Sequence, residues 1–303
     1  MSLVRARFGG ALLALSLWST ACGGGERPRH HAASAETEPT PTPAPVVARV
    51  DARPAREVSF TTSDGVTIHG TLRPGSVDDA PAVVLVHQLG STRAEWAPLI
   101  DRLALERSLT TLAIDLRGHG ESVQGPSGAL DWNSFDTEAW TASRLDVSAA
   151  SAWLASDASG LHPRAIAAVG ASIGASAVLL AAADEPHLAA LVLLSPGRAY
   201  HGVDTIGPAS RLDGRPMLAI VGEDESDNVN TARLLGRLGA TEPVIVPGDA
   251  HGVVLFGAAP ATLDQTEDFL RTQLASPREG DLPPGSIPAP PITSAGTPAP
   301  PPT

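Results

Sequence analysis

The chain has 303 residues, with 21 basic against 33 acidic side chains and a net charge of −12 at pH 7. That balance, with no basic run and no interleaving of basic and aromatic residues, excludes a surface built to hold nucleic acid phosphates. A single cysteine excludes an intramolecular disulfide, no His and Asp spacing matches a metal motif, and nothing in the chain calls for an organic cofactor.

At the N-terminus, Arg5 and Arg7 precede an apolar stretch, residues 8–18, and then small residues that run into Cys22. This is the order of a bacterial export signal, residues 1–22, and the stretch is too short to span a bilayer. Ser19-Thr20-Ala21-Cys22 resembles a lipobox, with Ser19 in place of the usual leucine. The resemblance implies lipidation of Cys22 and a lipid anchor holding the protein to a membrane of the bacterial cell envelope; the alternative is ordinary cleavage beside a small residue. Residues 23–50 carry Gly-Gly-Gly and repeated Pro-Thr and Pro-Ala pairs and cannot bury enough apolar surface to order themselves. They read as a disordered tether, and residues 276–303, with two further proline clusters, read as a disordered tail. Residues 51–275 remain, roughly 225 in number, enough for one compact domain with a full core.

Within that span, residues 57–62 and 66–72 alternate apolar and polar side chains around Ser63-Asp64-Gly65, a hairpin signal. Residues 82–86 form a continuous apolar run, expected of a parallel strand covered on both faces, and end at His87-Gln88-Leu89-Gly90. Helix spacing over 96–105 is followed by a second buried strand, 109–114, and by Asp115-Leu116-Arg117-Gly118-His119-Gly120-Glu121-Ser122. An irregular stretch holding Trp132 and Trp140 leads to an amphipathic helix over 144–155. A strand over 165–169, a helix over 175–183, strands over 188–194 and 217–221, a helix over 231–238, a strand over 243–246 and a helix over 260–274 complete the order. Strands alternating with helices predict an α/β fold: a doubly wound, mostly parallel sheet with antiparallel N-terminal strands. No internal repeat is evident.

Gly170-Ala171-Ser172-Ile173-Gly174 falls between a strand and a helix. A serine hydroxyl is a poor nucleophile at neutral pH, and needs a tight turn that exposes Oγ, a nearby base and backbone N–H donors for an oxyanion. Glycines on either side suit such a turn, so Ser172 is a candidate nucleophile; the plain alternative is a helix-capping serine. The Ile173 N–H, at the start of the following helix, is a natural oxyanion donor.

Taken together, the strand ending in His-Gln-Leu-Gly, the Asp-Leu-Arg-Gly-His-Gly-Glu-Ser segment, the Gly-Ala-Ser-Ile-Gly turn and the late acidic residues and histidine resemble the α/β-hydrolase superfamily over residues 56–275. The resemblance implies a triad in the order nucleophile, acid, base. His251, between the last strand and the last helix, takes the place of the base. Gly222-Glu223-Asp224-Glu225-Ser226-Asp227 offers the acid; a Gly-x-x-Asp register points to Glu225, with Asp224 as the alternative and Asp227 behind both. By the same register Leu89 supplies the second oxyanion amide, and Gln88 stands where many relatives have glycine, so that either amide could face inward. His87, Arg117, His119 and Glu121 are expected to brace their loops.

Only about twenty residues separate the strand ending near Ser195 from the next, so no large cap domain is expected, and the site should be open. Tyr200 and His201 are expected at its wall, together with Ile206 and Trp132 or Trp140. A serine disfavours the dehalogenase and epoxide hydrolase relatives, which use aspartate, and those that use cysteine. The expected function is a serine hydrolase acting through an acyl-enzyme on small carboxylic esters. An acyltransferase or peptidase with the same triad, and a non-catalytic binding lipoprotein of the same fold, are the alternatives. Oligomeric state is not legible.

Overall fold

A computed structural model describes residues 53–275 apart from residues 107 and 240. The export signal with Cys22, the tether up to residue 50 and the tail from residue 276 lie outside the described residues.

Among the described residues, ten strands form one sheet: β1 (Arg56–Thr61), β2 (Thr67–Arg73), β3 (Ala82–Val86), β4 (Thr110–Ile114), β5 (Gln124–Gly125), β6 (Gly128–Ala129), β7 (Ile166–Ala171), β8 (Leu188–Leu194), β9 (Met217–Gly222) and β10 (Val244–Val246). Their order is β10-β9-β8-β7-β3-β4-β2-β5-β6, with β1 on β2. From β10 to β4 all neighbours are parallel, whereas β2 runs antiparallel to β4, β1 and β5. The helices are α1 (Ala97–Ala104), α2 (Thr137–Ala142), α3 (Arg144–Ala155), α4 (Ile173–Asp184), α5 (Ile206–Ala209), α6 (Ser226–Gly239), α7 (Leu255–Ala258) and α8 (Ala261–Leu274).

The period-2 geometry of a strand divides the sheet's side chains between two cores. Val84 and Val86 of β3 face one side, where Val147, Ala150 and Leu154 of α3 and Val178 and Leu179 of α4 cover them. Val83 and Leu85 face the other, under Trp96, Leu99 and Leu103 near α1 and Leu270 and Leu274 of α8. Every residue of β3, β4, β7, β8 and β9 is buried, which explains why those segments read as unbroken apolar runs rather than alternating ones. α4 is buried along nearly its whole length, so it carries no polar face.

Two segments differ from expectation. Helix α6 starts five residues before 231, because the run Ser226-Asp227-Asn228 is polar enough to pass for a loop although the Val229 N–H already donates to Glu225 O at 2.9 Å. The irregular stretch contains the β5–β6 hairpin, anchored to β2 through Thr67 and Gln124. It also contains α2, capped by the Asp136 carboxylate accepting from Ala139 N at 2.9 Å. Trp140 on α2 is buried against Phe135, His119 and His201.

The chain leaves β3 toward β4 on one side and returns to β7 on the other, so the strand order reverses at β3. In an open α/β sheet such a reversal leaves a crevice at the carboxyl ends of the strands. His87, Ser172, Ser195, Glu225 and His251 all follow strands at that edge.

Candidate active site

β7 runs into α4 with a single residue, Ser172, between them. The turn is feasible only with little bulk: a Cβ on Gly174 would stand 2.4 Å from Val86 O and 2.5 Å from His87 O. Ser172 has φ 53 and ψ −117, a left-handed conformation unfavourable for a residue with a Cβ and found where surrounding structure imposes it. It stands at the N-cap of α4 without making a side-chain cap bond, so its hydroxyl is not spent on capping. Its N–H donates to Leu194 O at 2.9 Å, its side chain interacts with the Tyr200 hydroxyl, and 7% of its surface is exposed. No hydrogen bond joins Ser172 Oγ to His251 among the described residues.

His251 follows β10, and its Nδ1 is hydrogen-bonded to Glu225 Oε1. With Nδ1 engaged, Nε2 is the ring nitrogen left for chemistry, and the side chain is 39% exposed. Of the three acids considered, Glu225 is the one on the imidazole. Asp224 uses its N–H on Gly248 O at 3.0 Å and carries its carboxylate on an exposed residue. Glu225 is also held by the Asn228 Nδ2 group, which donates to Oε1 at 2.8 Å, and by the Ser195 hydroxyl and the Gly222 N–H, which donate to Oε2 at 2.7 and 3.2 Å.

The loop after β3 is fixed through peptide groups. His87 Nε2 accepts from Leu116 N at 3.0 Å, which puts the ring proton on Nδ1, and Nδ1 donates to Gln88 O at 2.7 Å. Burial drives the His87 pKa down to about 4, so the ring is neutral. The Gln88 N–H donates to Glu95 Oε1 at 2.9 Å, and the Gln88 side-chain Oε1 accepts from Val253 N at 3.3 Å. Burial pushes the Glu95 carboxyl above its ordinary range, against the pull of the Ser91 hydroxyl and the Gln88 amide. The Gln88 amide is therefore committed elsewhere and is not a free oxyanion donor, contrary to one of the expected alternatives. Because a trans peptide holds C=O and N–H on opposite sides, fixing the Gln88 carbonyl on His87 turns the Leu89 N–H the other way. That N–H has no partner among the described residues. The Ile173 N–H, in the first turn of α4, is without an intrahelical acceptor as well.

Tyr200 is half-buried beside this group. Its hydroxyl donates to Ser195 O at 3.2 Å and interacts with the Asn228 and Ser172 side chains, and its ring meets His251 edge-on at 6.3 Å. The His201 ring stacks on Trp140 at 4.8 Å and its carbonyl accepts from Thr137 Oγ1, with no hydrogen bond, ion pair or ring contact to Ser172, Glu225 or His251 among the described residues. Trp132 stacks on His119 at 5.1 Å, and His119 Nε2 accepts from Gly90 N at 3.3 Å. Arg117 is committed to Asp146 and Asp64, and Glu121 to Arg93.

Two residues in this arrangement had not been singled out from the sequence: Ser195 and Asn228, both on Glu225. A polar residue directly after a buried strand, at the position on β8 that Ser172 holds on β7, was the available signal for Ser195. Asn228 lay three residues past Glu225, one helical turn on, hidden by the late helix start.

Residues 83–300 match the model of the alpha/beta hydrolase family. The chain belongs to that family. Among solved structures, an alpha/beta hydrolase from Penicillium sp. sh18 is similar with a TM-score of 0.60 at 19% identity, covering 74% of this chain and 100% of that one. An esterase from Pyrococcus furiosus gives a TM-score of 0.58 at 17% identity, covering 74% and 93%. A dienelactone hydrolase from Anabaena variabilis gives 0.54 at 22%, covering 73% and 99%. No curated protein matches the chain. At these identities the structural likeness speaks for the fold alone: a hydrolase scaffold with antiparallel strands at its N-terminal side. A cavity of about 590 Å³ lies against Thr71, Arg93, Asp115 and Glu121, and another of about 560 Å³ is lined by Tyr200 and Asn228 together with Gly197 and Asp227. Arg93 in the first is saturated by Asp115, Glu57 and Glu121.

Proposed function

We propose that the protein is a serine hydrolase acting on carboxylic esters of modest size. The observation that carries this reading is Ser172, held at φ 53 with a hydroxyl not used to cap α4, at the same sheet edge as His251 and its carboxylate partner. In this reading Ser172 Oγ attacks the ester carbonyl while His251 Nε2 takes its proton. The Glu225 carboxylate, accepting from Nδ1–H, keeps the tautomer that leaves Nε2 basic and stabilises the imidazolium that forms. The Leu89 and Ile173 amides receive the oxyanion. His251 returns the proton to the leaving alcohol, and water, activated in the same way, releases the acyl group from Ser172. The Ser172–His251 contact closes when substrate binds, as catalytic hydrogen bonds tighten on forming the Michaelis complex. Tyr200, touching Ser172 and edge-on to His251, forms part of the substrate wall. The residues at 195–216, too few for a large cap, fit an open site. Export and anchoring through Cys22 are proposed on the sequence of residues 1–22.

The test is hydrolysis of short p-nitrophenyl esters together with labelling by a fluorophosphonate. Wild type should hydrolyse the esters and label at Ser172, and Ser172→Ala should lose about 10³-fold or more in kcat. Wild-type turnover by Ser172→Ala would defeat the reading.

A further inference from the structure

Ser195 is a completely buried serine at the end of β8, with a φ of 49. A serine in the left-handed region costs on the order of 1 kcal/mol and persists only where surrounding contacts impose it. The contacts here are specific. The Ser195 hydroxyl donates to Glu225 Oε2 at 2.7 Å and accepts from the Gly252 N–H at 2.9 Å. Its N–H continues the sheet by donating to Ile220 O at 2.8 Å, and its carbonyl accepts from Tyr200. One hydroxyl thus joins the carboxylate on the β9 side to the backbone directly after His251. On its other flank the same loop is tied by Gln88 Oε1 to Val253 N. Gly252 itself has φ 57, and a Cβ there would stand 1.8 Å from Gln88 Oε1.

We propose that Ser195 is a positioning residue for the catalytic pair: its hydroxyl fixes the distance and angle between Glu225 and His251 by bonding both the carboxylate and the loop that carries the imidazole. This rests on the serine hydrolase reading. Glu225 comes from the start of α6 and His251 from a loop after β10, so neither element alone fixes one against the other. A hydroxyl has the right chemistry for this bridge, since it gives its proton to the carboxylate and accepts from the amide, which neither an ammonium group nor a second carboxylate could do. A buried donor or acceptor left without a partner is costly, so removing Oγ strands the Gly252 N–H and leaves Glu225 Oε2 with only the longer bond, 3.2 Å, from the Gly222 N–H. Ser195 touches no reacting atom, so the loss falls on turnover rather than on binding.

The experiment uses the purified protein with p-nitrophenyl acetate and a fluorophosphonate probe. Ser195→Gly removes the hydroxyl at a φ that glycine adopts freely, and Ser195→Ala removes it while retaining the strain. Both should lower kcat by about 10- to 100-fold, the cost of a sub-ångström to 1 Å misplacement of catalytic groups, with KM held within about twofold and fluorophosphonate labelling slowed in parallel. In a Glu225→Ala background the further loss from Ser195→Gly should shrink to less than about threefold, because residues acting as one unit are not additive. Wild-type kcat in both variants overturns the proposal. So does a full multiplicative loss in the Glu225→Ala background, or a loss matched by a collapse of thermal stability in both variants, since each assigns Ser195 a purely structural part. A wild type that neither turns over the ester nor labels at Ser172 defeats the hydrolase reading and this proposal with it; a wild type that does both while the Ser195 variants equal it defeats this proposal alone.

Discussion

His87 makes the folded state sensitive to acid, and the sensitivity can be worked out from its surroundings. Its ring holds one proton, on Nδ1 for Gln88 O, while Nε2 accepts the Leu116 N–H. A second proton would have to go on Nε2, against a backbone donor and inside the core. Burial accordingly lowers the pKa from 6.5 to about 4. The unfolded chain takes up a proton below pH 6.5 that the folded chain refuses until about pH 4. Stability from this residue is therefore fully present above pH 6.5 and lost as pH falls through that window. At about 1.4 kcal/mol for each pH unit, the loss reaches about 3 kcal/mol near pH 4. Urea unfolding of wild type and His87→Gln between pH 7.5 and 4.5 measures it. The His119 pKa is also lowered, by burial, and its ring lies against His87 at 4.9 Å, so His87→Gln in a His119→Gln background isolates the slope that belongs to His87. The glutamine variant should be less stable at pH 7.5 but should lose distinctly less on acidification. Equal slopes would refute the neutral, buried assignment and the orientation of the Leu89 amide that follows from it.

Glu225→Gln should lower kcat for p-nitrophenyl acetate by about 10³-fold or more, since an amide cannot hold the basic tautomer of His251 or stabilise the imidazolium. Asp224→Asn, a change on an exposed residue, should stay within about twofold; a reversed order would move the acid to Asp224. Gly174→Ala forces a Cβ against two backbone oxygens that cannot rotate away. It should cost about 1–3 kcal/mol, a fall of roughly 2–12 °C in thermal midpoint for a domain of this size, with slower fluorophosphonate labelling. An unchanged midpoint would show that the turn has more room than its geometry allows.

The parts of this molecule legible in the sequence are those with a strong local cause. Doubly covered strands need apolar side chains on both faces, so β3, β4, β7 and β8 appear as apolar runs in the chain itself. The Ser172 turn leaves its mark because the approach of α4 to β3 admits only glycine at 174. The acid was harder, because four carboxylates lie within six residues after β9, and only the start of α6 decides which one turns inward. That start was hidden by its polar first turn. Gln88 misled for a related reason: nothing in residues 87–90 shows that Glu95, seven residues on, takes its amide. Ser195 depends on contacts 30 and 57 residues away, and no local pattern announces a tie of that range.

Ser172 and Ser195 directly follow adjacent parallel strands, both at positive φ, 53 and 49, and the backbone couples them: Ser172 N donates to Leu194 O, and Ser195 N to Ile220 O. Each strained residue is thus anchored by the strand beyond it, β7 by β8 and β8 by β9. Two such residues cost on the order of 2 kcal/mol together, small beside what burial of the surrounding strands contributes. The strain sits where the sheet is deepest and least able to relax, which keeps the Ser172 hydroxyl out of the helix cap and the Ser195 hydroxyl on Glu225. Relaxing one of them should therefore disturb the other, through Leu194 and through the Tyr200 hydroxyl that meets both residues, whereas substitutions in β1, remote from this ladder, should leave both hydroxyls in place.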